Sequence, residues 1–391
     1  MRKAHLFMGL AILLWGTSAA IGQEKFGFTQ CNPCTPLIDP CGGDTGLFSP
    51  FTFGGWIEAG AYTNSHGNRN NGPMHYGGHN RTDFQMHHLY FFGEKEMNTK
   101  RGFDWGGRVD LAYGTDYGVM QTLDGTFDDG WGTNKHGYGM AAYQLYGTLG
   151  FKNLSVTAGK FITPIGWEAV AAKDNIFYSH SYCYMIEPIT HTGIFATYDV
   201  SNRLSLNTGW TTGMDSSFKN PNDNSALLSG LTYSLTDKAT VYYWINAGKQ
   251  YGYDNALRND YFVQSLCLEW ALTKRFTYVF QYDLRNDNYV QAGGGKERIN
   301  VYSFNNHFLY RLTDKLTAGT RVEWCRDNGG YFVEDTSSDY WQVTLGLRWD
   351  ATKNLSFRPE VRYDWCKGAT PFAGGTRSDQ ISGGGGVVIS F

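Results

Sequence analysis

The chain has 391 residues, of which 18% are charged, and a formal net charge of -3. There is no basic excess of the kind that recognises nucleic acid, and nothing after residue 22 approaches the roughly 18 consecutive apolar residues of a membrane-spanning helix. The mean hydropathy of -0.40 would suit a soluble protein, yet 16% aromatic residues beside 49 glycines is an unusual pairing for a soluble domain.

Residues 1–22 read as a secretory signal peptide. Arg2 and Lys3 give a basic start, Leu6 to Trp15 an apolar run, and Ser18 to Gly22 mostly small residues. Their removal takes the charge from -3 to -5, because the segment contains two basic residues and no acid. Residues 23–50 form a Cys/Pro/Gly-rich leader with Cys31, Cys34 and Cys41. An exported chain reaches a compartment that permits disulfides. Three cysteines with no nearby histidine make a poor zinc site, which wants four ligands.

From residue 51 the pattern has period two. In "LSFRPEVRYDW", Leu355, Phe357, Val361, Tyr363 and Trp365 point one way, and Arg358, Glu360, Arg362 and Asp364 the other. Runs of about 10 residues are long enough to cross a bilayer with tilt. Strands are expected to begin near 51, 82, 103, 138, 154, 189, 203, 225, 238, 259, 276, 298, 316, 338, 355 and 378. Tight turns such as "KN" at 152, "TDK" at 236 and "TKN" at 352 alternate with long polar loops. Short turns at one rim and long loops at the other mark an outer-membrane barrel. The predicted fold is therefore all-β: a transmembrane antiparallel β-barrel of about sixteen strands over residues 51–391, with both termini periplasmic.

The third long loop, residues 164–188, departs from its polar counterparts. It carries Trp167, Val170, Ile176, Phe177, Tyr178, Tyr182, Tyr184, Met185 and Ile186. A loop of that length and apolarity is functional more often than not. A barrel of this size has room inside, so the loop is expected to fold inward and narrow the channel. The alternative is packing over the rim or into a neighbouring protomer. Trp167, Val170 and Ala171 have helical spacing, so a short helix is expected there.

The polar groups that this block could bring to a constriction are Lys160, Glu168, Lys173, Asp174, His180, Glu187 and His191, Glu168 foremost. Charges at a narrow, low-dielectric passage set ion selectivity, although each could equally fix the loop to the wall. Alternation assigns Arg108, Asp110, Arg321, Glu323, Arg348, Arg358, Glu360 and Arg362 to the lumen wall. Arg321, Arg348, Arg358 and Arg362 would form a basic ladder favouring anions, unless Glu323, Glu360 and Asp364 neutralise it. Trp105, Trp270, Trp324, Trp341, Trp349 and Trp365 face outward near strand ends, where aromatic girdles belong.

The chain ends "GVVISF", with Val387, Ile389 and Phe391 alternating. This ending resembles the signal that outer-membrane barrels present to their assembly machinery, here through Phe391. More broadly, "GKFITPIGWEAV", "NIFYSHSY", "EPITHTG" and "ATYDVSNRLSLNTGW" resemble the OmpL-like β-barrel porin-2 family. "GKF…PIG…E" is also similar to the third-loop region of phosphate-selective porins. The resemblance covers nearly all of the chain after residue 50 and implies passive diffusion of small hydrophilic solutes. Its motif includes Glu168. Outer-membrane lipid is the implied surround, and a homotrimer is compatible with a sixteen-stranded porin.

Catalysis finds little support. After the leader there is no H-E-x-x-H, no G-x-S-x-G and no P-loop. His87–His88 and His75/His79 read as chance clusters, and Asp128–Gly130 as a solvated turn. Cys325 and Cys366 lie two strand spacings apart, about 9–10 Å, beyond a direct disulfide. No catalytic residue, metal or cofactor is expected. A barrel enzyme of the lipase or protease type and a plugged structural or adhesive barrel are the alternatives to a pore.

Overall fold

The structure is a computed structural model that describes residues 51–391 except 68–69, 74–81, 123–126, 221–223, 252–257 and 291–295. The expected signal peptide and leader, with Cys31, Cys34 and Cys41, lie outside the described residues, as do His75 and His79.

Sixteen antiparallel strands close into one barrel: β1 (Thr52–Asn64), β2 (Gln85–Lys95), β3 (Phe103–Gly114), β4 (Gly139–Phe151), β5 (Leu154–Ile162), β6 (Thr190–Ser201), β7 (Leu204–Met214), β8 (Ser225–Thr236), β9 (Ala239–Tyr251), β10 (Arg258–Ala271), β11 (Phe276–Val290), β12 (Lys296–Arg311), β13 (Leu316–Asn328), β14 (Ser338–Asp350), β15 (Leu355–Lys367) and β16 (Asp379–Ser390). Each strand pairs with its sequence neighbours, and β1 pairs with β16 in a register running from Trp56 opposite Ser390 to Asn64 opposite Ser382. Closure leaves no unpaired edge, which a chain in hydrocarbon requires. Phe391 completes the seam: its N–H donates to Gly55 O, and Gly55 N–H donates to Phe391 O, both at 2.9 Å. The expected strand starts fall within three residues of the observed ones; the largest gap is β2, expected at 82 and found at Gln85.

The two faces separate as alternation demands. Leu149, Ile194, Leu345 and Val361 are exposed on the outside, a lipid-facing row. Trp105, Trp270 and Trp349 are exposed at the periplasmic strand ends. Trp324 stacks on Phe304, and Trp341 on Trp365, toward the opposite rim. These are two aromatic belts with an aliphatic band between them. Among the described residues, Cys183, Cys267, Cys325 and Cys366 are free thiols, as the strand spacing predicts for the last two.

Among the described residues two short α-helices interrupt the loops, α1 (Tyr117–Met120) and α2 (Tyr182–Ile186). The expected helix near Trp167 does not form; that stretch contains only a 3-10 turn, Ala172–Asp174. Its helical spacing serves a different end, because Trp167 joins a cluster with Phe161 and Phe195, while Val170 and Ala171 join another with Trp56 and Tyr90. Tertiary packing in two directions overrides local periodicity there.

Candidate functional site

The segment between Ile162 and Thr190 is held by side chains of the row that alternates with the lipid-facing one. Its central stretch runs along β13, β14 and β15, where four arginines donate to its backbone carbonyls in order. Arg348 donates to Lys173 O and, at 3.0 Å, to Asn175 O. Arg358 takes Phe177 O at 3.0 Å, Arg321 takes Ser179 O at 2.8 Å, and Arg362 takes His180 O. Carboxylates of the same wall accept the segment's N–H groups. Glu360 accepts from Tyr178 at 2.7 Å and Ser179 at 3.2 Å; Glu323 accepts from Tyr182 at 2.8 Å and Cys183 at 2.6 Å. An irregular backbone out of water must have its donors and acceptors satisfied. Here the wall's charged side chains stand in for a sheet partner.

The segment also seats two aromatic rings over wall glycines. A Cβ on Gly319 would lie 2.8 Å from Phe177 Cζ, and one on Gly346 would lie 2.8 Å from Phe177 Cδ1. Tyr178 rests in the same way against Gly60 and Gly386, with distances of 2.6 and 2.8 Å. Any larger side chain on these inward positions would push the rings away. Tyr178 OH is further fixed to His87 Nε2 at 2.6 Å.

The four arginines that hold the segment are each paired with a carboxylate. Arg321 pairs with Glu168, whose other oxygen accepts from Ser181 N and Ser181 Oγ, each at 2.7 Å. Burial pushes the Glu168 carboxyl up, but Arg321, helped by His180 and His307, outweighs it and holds it at about 2. Arg358 pairs with Glu58, Arg362 with Asp364 and Arg348 with Asp350. Glu187 sits beside Gln281, which donates to it at 2.5 Å, and burial followed by the nearby Asp283 pushes its carboxyl well above the usual range. Around the circumference at this level, the inward-facing Glu58, Gln144, Asn246, Gln281, Arg321 and Arg362 are at most 2% exposed. Nearer the periplasmic rim, Thr148, Thr197 and Asp199 are only half-buried.

A family model described as "Putative beta-barrel porin-2, OmpL-like" matches residues 50–391. The chain belongs to this family. It is an outer-membrane porin. Among curated proteins none matches the sequence. Similar solved structures include the outer membrane channel DcaP of Acinetobacter baumannii, at 11% identity and a TM-score of 0.56, covering 87% of this chain and 97% of that one. An anion-selective porin from Comamonas acidovorans matches at 12% identity and 0.56, covering 87% and 99%. The trimer form of the outer membrane protein OmpT of Vibrio cholerae matches at 11% identity and 0.55, also covering 87% and 99%. At such identities the likeness shows the fold.

In this porin, Glu168, Lys173, Asp174, His180 and Glu187 belong to the segment that the wall side chains hold. Lys173 pairs with its neighbour Asp174 at 2.8 Å, and His180 stacks on Tyr184 with centroids 3.8 Å apart. His191 lies at the segment's exit on β6, 3.0 Å from Thr163 Oγ1. Arg108 and Asp110 form a separate wall group with Glu94. Lys160 does not join the others. It pairs with Leu145 of β4, whose side chain is exposed to the lipid side, whereas the next residue, Phe161, turns inward. Lys160 is buried beneath the second long loop, donating to Met120 O at 3.1 Å and to Asp128 at 3.2 Å. Asp128 is accordingly a buried anchor rather than a solvated turn; it also accepts from Thr122 Oγ1 at 2.8 Å. Sequence reading missed Gly60, Gly319, Gly346 and Gly386. Their signal was small residues at inward-facing strand positions.

Proposed function

We propose that this porin passes small hydrophilic solutes or ions passively and without catalysis, and that residues 163–189 form a seated plug that must shift for the pore to conduct. The observation that carries the reading is the row of Arg348, Arg358, Arg321 and Arg362 gripping the carbonyls of Lys173, Asn175, Phe177, Ser179 and His180. Side chains hold the plug through polar contacts, so water can replace each contact when the plug leaves.

On this reading Glu168, Lys173, Asp174, His180, Glu187 and His191 belong to the constriction, and the wall arginines hold the plug instead of forming an unscreened anion path. Removing residues 168–186 takes away Glu168, Lys173 and Asp174, a net loss of one negative charge, and strips Arg321 of its partner. Deletion should therefore raise single-channel conductance in a planar bilayer and move the reversal potential toward anions. Equal conductance with and without the segment would refute the plug; absence of current in both would refute the pore and favour a structural barrel. A homotrimer and recognition of Phe391 by the assembly machinery complete the proposal. Molar mass in detergent by light scattering tests the first, and assembly of a Phe391 deletion in cells tests the second.

A further inference from the structure

On the wall formed by β11 and β12, the seated plug leaves polar side chains without partners. Gln281 stands opposite Asn305 across the two strands, and His307 lies two positions further along β12, on the same face. All three are at most 1% exposed. Both ring nitrogens of His307, both amide atoms of Asn305 and the Gln281 Oε1 atom are buried with no hydrogen-bond partner. The plug covers this row with aromatic rings: Trp167 lies over the His307 ring with centroids 4.4 Å apart, and Phe177 follows at 5.9 Å. Gln281 Nε2 does have partners, Glu187 and Asp283. On the other side, β13 places Glu323 opposite Asn305 and Arg321 opposite His307.

A buried polar group without a partner costs free energy that it recovers in water or on a ligand. Nothing about this wall demands polarity, since Val279 and Leu309, the next positions on the same face, are apolar and equally buried. Three polar side chains in a row therefore serve the state in which the plug is displaced. We propose that Gln281, Asn305 and His307 then bind a neutral polyhydroxylated solute, a sugar or polyol, so that the solute itself favours the open pore. Two amides and a neutral imidazole set donors and acceptors side by side and carry no charge, which suits hydroxyl groups that donate and accept at once. The neighbouring Arg321 and Glu323 add one charge of each sign, so the row favours neither anions nor cations. A solute that binds only when the plug is displaced shifts the population toward that state. The inference rests on the plug reading and adds the class of solute that the pore admits.

The test records the open probability of the full mature chain in a planar bilayer with sucrose, or with tetraethylene glycol at equal osmolality, which carries ethers in place of most hydroxyls. Sucrose should raise the wild-type open probability, and the ether should not. Asn305→Leu and His307→Phe, which keeps a ring under Trp167, remove the unpartnered atoms. Each should open about 5-fold less than the wild type and lose the response to sucrose. Variants that open more than the wild type would show that these groups hold the plug and would overturn the site. A wild type indifferent to sucrose, or variants that respond as it does, would overturn it as well. Two positions guard against one variant failing to fold, which the heat-dependent gel shift of the barrel reports. Equilibrium dialysis of labelled sucrose against the folded chain lacking residues 168–186 needs no current. Binding that Asn305→Leu removes supports the site even if conductance refutes the plug, and no binding overturns it even if the deleted chain conducts.

Discussion

Glu168→Gln is the sharpest test of how the plug is held. The substitution keeps the shape and leaves an oxygen to accept from Ser181, but removes the charge facing Arg321, which is fully buried. Breaking a buried ion pair from one side costs about 3–5 kcal/mol, because the other charge remains uncompensated. Arg321 retains acceptors at Ser179 O, Ser179 Oγ and His180 O, at 2.8, 3.0 and 3.3 Å. The lower end is therefore appropriate, about 3 kcal/mol. At 1.4 kcal/mol per tenfold, the equilibrium between seated and displaced plug moves by about 100-fold. Single-channel recording in a planar bilayer reads this as open probability. Arg321→Met alone should release the plug comparably, by stranding Glu168. The double variant should be less leaky than the two singles together, since neither member of the pair is then left as an uncompensated buried charge. Wild-type open probability in Glu168→Gln, or a double variant as leaky as the sum of the singles, would refute the pair as a latch.

The protonation of Glu187 predicts a pH dependence. Its carboxyl is raised in the seated plug by burial and then by Asp283, so seating takes up a proton. The stabilisation is complete below the ordinary carboxyl range near about 4.3 and fades as pH rises above it. Open probability should climb with pH from about 5 upward and be flat in Glu187→Gln; a fall with pH would contradict the assignment. Gly346→Val places a branched side chain where even a Cβ lies 2.8 Å from Phe177. It should raise conductance while leaving the heat-dependent gel shift unchanged, and a silent variant would show that Phe177 is not seated there. Lys160→Met strands the buried Asp128, which should cost about 3 kcal/mol or more and expose the second loop to protease. Its conductance should match wild type, because Lys160 lies outside the lumen; an altered conductance would return it to the pore.

Strand alternation and turn spacing were legible in the chain because each depends on neighbours one or two residues away. A period of two, ten-residue runs and tight turns at every second connection leave a barrel as the structure that buries one face in lipid. The unusual apolarity of residues 164–188 was equally legible, as was the identity of the wall charges. The pairing among them was not. Arg321 meets Glu168 from 153 positions away, and Arg358 meets Glu58 from 300. Such contacts are set by which strands the closed sheet brings opposite the segment. Lys160 shows the same limit in miniature. It belongs to the most distinctive stretch of the sequence, yet one step of the pleat turns it away from Phe161 and puts it under another loop. Local pattern determined which residues could face inward. Only closure of the barrel decided what they would meet there, because that depends on distances across the lumen that no spacing along the chain encodes.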